Sequence, residues 1–259
     1  MLRFKTVCFL LLAQVPLSAS VIYVGLKNGD FGTLDSATGI YNKLGTPGQF
    51  GGLAFDTSGR LDGTPNQSNA QLLRVDQSNG STTVVGSIGL TGLAGFSSTP
   101  GGPLYLVDRT NLNTVNPDTA QLTVVRPNGV LHQDFFYQGN GPDGNVYLNS
   151  GTSFGTERLY KLSPTTTTDL GPAASFEALV SADNSLYTFK SNGTFEDLYS
   201  VNTTSGAQTL VRTTTISAGL GTVYAAASPA PSSTPEPGTL ALLIGGGSLI
   251  AFRFRKHQA

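Results

Sequence analysis

From Val21 to Ala227 apolar and polar residues alternate in short runs, and Gly, Asn, Asp and Ser interrupt them. That period of two predicts β-strands, and a helical period is nowhere sustained. One recurring strand carries aliphatic–Tyr–aliphatic: Ile22-Tyr23-Val24, Leu104-Tyr105-Leu106, Val146-Tyr147-Leu148, Leu186-Tyr187-Thr188 and Val223-Tyr224-Ala225. Arg60-Leu61-Asp62 fills the vacant slot in the series, and successive copies lie 37–43 residues apart. A second strand ends at Leu34-Asp35, Val75-Asp76, Val115-Asn116, Leu162-Ser163 and Val201-Asn202. Turns such as Ser36-Ala-Thr-Gly39, Gln77-Ser-Asn-Gly80, Pro117-Asp-Thr-Ala120 and Thr203-Thr-Ser-Gly206 follow it. A third strand comes next (Tyr41–Leu44, Thr82–Val85, Leu122–Arg126, Gln208–Arg212). A Gly- or Ala-rich fourth precedes each Tyr strand: Gly52–Phe55, Gly92–Phe96, Gln133–Phe136, Phe176–Leu179 and Ser217–Leu220.

Four strands in a unit of about 40 residues are the mark of a β-propeller blade. Five units occupy residues 20–227, so the expected fold is all-β, a single propeller of five blades of four antiparallel strands. The six Tyr strands leave six blades as the alternative count. The series begins and ends on a Tyr strand, so strands from the two ends of the chain complete one blade and close the ring. The Gly-Leu-Ala strand suits the innermost position, where small residues let strands crowd about an axis. A two-sheet sandwich also has many short strands, but no self-similarity at this period.

The turns resemble those of NHL-type and SMP-30-like propellers, with Gly141-Pro-Asp-Gly-Asn145 before Val146 as the clearest copy and Asp56-Thr-Ser-Gly59 and Ala182-Asp-Asn184 as weaker ones. Asp143 and Asn145 read first as residues of a tight turn and only second as calcium ligands. The resemblance implies a lactonase-type alternative, a metal- or carboxylate-dependent hydrolase with acidic groups at the channel mouth. Asp56, Asp134, Glu177 and Asp183 are the candidates. His132 lies near Asp134, but no nucleophile motif accompanies it, and one histidine makes no zinc site. No cofactor or metal is expected.

Composition separates the ends from the middle. Charged residues are 12% of the chain, against roughly 25% in a typical domain, and Trp is absent. A net charge of -1 leaves no basic field for nucleic acid. Residues 1–19 have a charged start, an apolar stretch from Thr6 to Val15 and a small-residue end, the three regions of a secretory signal peptide. Leu17 and Ala19 take the −3 and −1 positions, placing cleavage by signal peptidase between Ala19 and Ser20. Cys8, the only cysteine, leaves with that segment, so the mature chain has no disulfide.

At the other end, residues 228–237 (SPAPSSTPEP) are a Pro- and Ser-rich linker, and residues 238–259 are an uncharged apolar run followed by Arg253, Arg255 and Lys256. A transmembrane helix is expected over Gly238–Phe252, its basic flank cytoplasmic. Those fifteen residues rise only about 22 Å, so basic side chains must snorkel to span a ~30 Å core. Pro235-Glu236-Pro237, a short apolar helix and a terminal basic cluster together resemble the PEP-CTERM sorting signal, here with Phe254 inside the cluster and Gly245–Gly247 inside the helix. The resemblance implies processing by exosortase, a membrane-embedded transpeptidase of Gram-negative bacteria that make extracellular polysaccharide. Pro235, Glu236 and Pro237 are the implied recognition triplet.

The sequence thus predicts an exported chain, held at the inner membrane before processing and at the surface or outside afterwards. Its propeller is expected to bind polysaccharide or protein, or to serve a structural role.

Overall fold

The computed structural model describes residues 20–66, 69–91, 95–98, 101–130, 134–151, 156–173 and 176–230. Blade 1 contains β1 (Val21–Leu26), β2 (Phe31–Asp35) and β3 (Tyr41–Gly45), with β20 (Val223–Ala227) innermost. Blade 2 is β4 (Phe50–Phe55), β5 (Leu61–Pro65), β6 (Asn69–Val75) and β7 (Thr82–Thr91). Blade 3 is β8 (Phe96–Ser98), β9 (Leu104–Val107), β10 (Asn111–Val115) and β11 (Leu122–Pro127). Blade 4 is β12 (Asp134–Asn140), β13 (Val146–Gly151), β14 (Arg158–Leu162) and β15 (Thr167–Pro172). Blade 5 is β16 (Leu179–Ala182), β17 (Ser185–Ser191), β18 (Phe195–Val201) and β19 (Gln208–Ser217). All pairings within the blades are antiparallel. The innermost strands touch in the order β20, β4, β8, β12, β16 and back to β20, so the ring of five blades is closed.

Closure rests on β1 pairing with β20, Tyr23 opposite Ala227 and Val24 opposite Ala226. The six-blade alternative is therefore corrected. Val223-Tyr224-Ala225 is the inner strand of blade 1, and Ser217–Leu220, expected as a strand, supplies a turn of 3-10 helix over Ala218–Leu220. The Ser217 hydroxyl accepts from the Gly219 amide and caps that turn, which outcompetes extension. The inner strands of blades 3 and 5 begin at Phe96 and Leu179, where the sequence reading ended them.

The core is divided among the seams between blades. Alternate residues of a strand face opposite seams, as a period of two demands. Ile22, Val24 and Leu26 pack with Phe189, Leu198 and Ile216 at seam 5/1, while Tyr23 joins Phe31, Phe50 and Phe55 at seam 1/2. Leu72 and Phe96 meet at seam 2/3, Val107 and Tyr160 at seam 3/4, Leu159 and Phe176 at seam 4/5. Each fully buried Phe contributes about 1.5–3 kcal/mol of transfer free energy. Small residues on the inner strands set the spacing: a Cβ at Gly139 would stand 2.5 Å from the Cβ and carbonyl oxygen of Leu179.

Both described ends of the chain lie on one face, where the inner strands finish. The Ser228 hydroxyl donates to the Val21 carbonyl, and the Ser36 amide donates to that of Ser20. We call this the exit face, and its opposite, where the inner strands begin, the entry face. Among the described residues no helix is long and apolar enough to cross a membrane, and the segment expected to do so, residues 238–252, lies outside them.

Candidate functional site

At the exit end of the axis Leu53, Ala54, Ser97, Asn140, Ser181 and Ser228 line a cavity of about 10 Å³. That is on the order of one water molecule. A buried polar network supports this end. The Gln138 amide nitrogen donates to the Ser97 hydroxyl (2.7 Å) and the Tyr105 carbonyl (3.1 Å), and Ser97 donates to Asn140 Oδ1. Asn140 Nδ2 is buried with no protein partner, so it is the group that such a water would satisfy.

The entry side of seam 5/1 holds a cluster of buried carboxyl groups whose pKa values burial raises. Glu177 precedes β16 and accepts from the Val223 amide at 3.1 Å, which ties blade 5 to the closing strand. Glu196, near the start of β18, is fully buried, and neither of its carboxylate oxygens has a distinct hydrogen-bond donor. Burial pushes the Glu196 carboxyl up to about 8, and the facing Glu177 carboxyl pushes the same way; burial also raises Glu177. With no salt bridge to either among the described residues, the two are best satisfied by holding one proton between them. Tyr137 stands nearby, its ring 6.3 Å from that of Tyr224. Burial raises its hydroxyl pKa, and the charge of Glu177 adds to the effect. A proton-sharing carboxyl pair is acid–base machinery in kind. Glu196 is sealed from solvent, so in this geometry the pair acts on the seam and not on a bound molecule.

The four acidic candidates do not converge. Asp56 holds its own turn, accepting from the Ser58 and Arg60 amides at 2.8 and 2.9 Å and pairing with Arg60 Nε at 2.6 Å. Glu177 and Asp183 stand at opposite ends of β16. The backbone of Asp134 pairs with Gly151 at the entry end of β12. Asp143 and Asn145 sit in the expected turn, and Asp143 is occupied by the Tyr147 hydroxyl (2.9 Å) and Lys161 Nζ (2.7 Å). Among the described residues no three His, Cys, Asp or Glu side chains gather as a metal would require. His132, Ala19, Pro235, Glu236, Pro237, Arg253, Arg255 and Lys256 lie outside the described residues.

Sequence reasoning missed Glu196 and Asp62. Asp62 is fully buried on β5 and paired with Arg74 Nε at 2.6 Å; burial raises its pKa to about 6, with Arg74 pulling the other way. An acidic residue at an inward position of an alternating strand was the available signal in both.

No protein-family model matches the chain, and no curated protein does. Solved structures do. One is a symmetrical protein studied for the folding constraints on its de novo evolutionary emergence, at 15% identity over 82% of this chain and 100% of that one, with a TM-score of 0.52. Another, of unknown function, is from Bacteroides thetaiotaomicron VPI-5482, at 13% identity over 75% of this chain and 58% of that one, with a TM-score of 0.51. A gluconolactonase from Xanthomonas campestris is 12% identical over 75% of this chain and 71% of its own, and its TM-score of 0.46 is too low to carry an argument about chemistry. At such identities the likeness establishes the propeller fold and no activity.

Proposed function

We propose that this is an exported β-propeller that works as a binding or structural module at the cell surface or in the extracellular matrix, delivered by signal peptidase and exosortase. The observation that carries this reading is the placement of Ser20 and Ser228 together on the exit face. A leader ending at Ala19 can be removed, and a linker starting at Ser228 can run to a membrane, without disturbing the ring. The entry face and rim are then free for polysaccharide or a protein partner. A lactonase-type reaction at the exit end of the axis would need space for a substrate, and the cavity there is about 10 Å³. The test is to express the protein with and without exosortase and measure the mass of the product. A loss of the residues after Pro237 that depends on exosortase is expected; an identical mass in both strains would overturn the sorting reading. Glycan-array binding by the processed protein tests the ligand class.

A further inference from the structure

Ser20 is held more firmly than a connecting residue needs to be. Its backbone nitrogen donates to the Ser36 hydroxyl at 3.0 Å, its carbonyl accepts from the Ser36 amide at 3.0 Å, and its hydroxyl donates to Asp183 Oδ1. The Ser36 hydroxyl in turn donates to Asp183 Oδ2 at 2.5 Å. Two serines from blade 1 thus converge on one carboxylate in the β16–β17 turn of blade 5, across the seam that closes the ring. Asp183 has φ 48 and is followed by Asn184 with φ 58, so the turn is fixed in a geometry that only a few residue types tolerate. No lysine or arginine pairs with Asp183 among the described residues.

We propose that Asp183 and Ser36 form a receptor for the mature N-terminus, so that removal of the leader latches the ring shut. Hydrolysis of the Ala19–Ser20 bond consumes one water, leaves a carboxylate on the departing Ala19 and leaves a protonated α-amine on Ser20 at neutral pH. In the uncut chain that nitrogen is a neutral amide with one hydrogen, directed at Ser36. After the cut it is a cation with three donors, one hydroxyl away from a carboxylate that has no other cationic partner in the described structure. The hydrogen bonds already in place keep their geometry, and the attraction between opposite charges is added across seam 5/1. The proposal rests on the export reading, because only a cut before Ser20 creates this ammonium.

The test uses the full exported protein and reads two things. Mass spectrometry of its N-terminal peptide gives the first residue, expected to be Ser20. Labelling with an amine-reactive ester across pH 6–10 then gives the titration of the α-amine. With the latch, its midpoint is expected about one unit above the ordinary value of roughly 7.7–8.0, a tenfold gain in proton affinity. Asp183→Asn keeps an acceptor and tolerates positive φ, and should return the midpoint to the ordinary range. Should that variant fail to accumulate, the wild-type midpoint alone still decides. A product that begins elsewhere overturns the assignment through the processing step. A product that begins at Ser20 with an unshifted amine overturns the latch and leaves the export reading standing.

Discussion

Seams 2/3 and 5/1 solve the same packing problem with different chemistry. At seam 2/3 two arginines of blade 2 reach into the Pro117–Asp118 turn of blade 3. Arg74 pairs with buried Asp62 and donates to the Pro117 carbonyl at 2.9 Å, and Arg60 bridges Asp56 and Asp118. At seam 5/1 the buried carboxyls Glu177 and Glu196 face each other with no salt bridge among the described residues, and the cross-seam links are hydrogen bonds. Arg212 donates to the Ala37 carbonyl, Thr215 gives its amide to the Gly39 carbonyl, and its hydroxyl accepts from the Tyr41 amide. The first seam is made within one continuous stretch of chain, whereas the second joins the two ends. The lesson is that the joint between the chain's two ends depends on a shared proton, whereas the other balances its buried carboxylate with arginine.

Arg74→Met should break the first seam hardest, because it leaves Asp62 buried without its cation. A loss of about 3–5 kcal/mol is expected in urea unfolding at pH 7. The second seam is tested by Glu196→Gln. The folded Glu196 carboxyl titrates near 8 and the unfolded one near 4.5, so between those values the native state holds a proton that the unfolded chain has released. Wild-type stability from this group is therefore complete below about pH 4.5, falls as pH rises towards 8, and is lost above it. The variant should remove that fall, gaining on the order of 3 kcal/mol on wild type between pH 5 and pH 9. Parallel curves for the two proteins would refute the shared proton.

Gly39 and Ala120 occupy the same turn position in blades 1 and 3, and so sharpen the contrast further. Each amide donates to the residue four back, Gly39 to Asp35 at 2.8 Å and Ala120 to Asn116 at 2.9 Å, and each has positive φ, 74 and 60. A Cβ at Gly39 would meet the Thr213 carbonyl oxygen and Arg212 Cδ at 3.0 Å, so Gly39→Ala should cost about 2 kcal/mol, strain plus crowding at seam 5/1. Ala120→Gly relieves the strain but removes a buried methyl from the apolar cluster at seam 2/3. Its net effect should lie within about 1 kcal/mol in a thermal melt.

These particular residues also show what the sequence could and could not disclose. The second strand of each blade, and the third of all but blade 4, were legible because Leu34, Val75, Val115, Leu162 and Val201 are each followed by a polar turn-former whose side chain or backbone closes the hairpin. The innermost strands were legible only roughly. β16 is buried on both faces and β12 carries a register shift between Phe135 and Tyr137, so alternation cannot mark their limits. The link between Glu177 and Glu196 could not be read at all. It joins a residue ahead of β16 to one on β18, and neither residue has a motif around it. Asp183 was legible as a turn residue, but its hold on Ser20 spans 163 residues of chain.

The pairing of β20 with β1 has a mechanical consequence. A pull applied through the residues that follow Ser228 runs lengthwise along β20, so the bonds from Tyr23–Ala227 to Leu26–Val223 are loaded together in shear and cannot be peeled one at a time. A ring held by its last strand in this way yields only when the whole ladder slips.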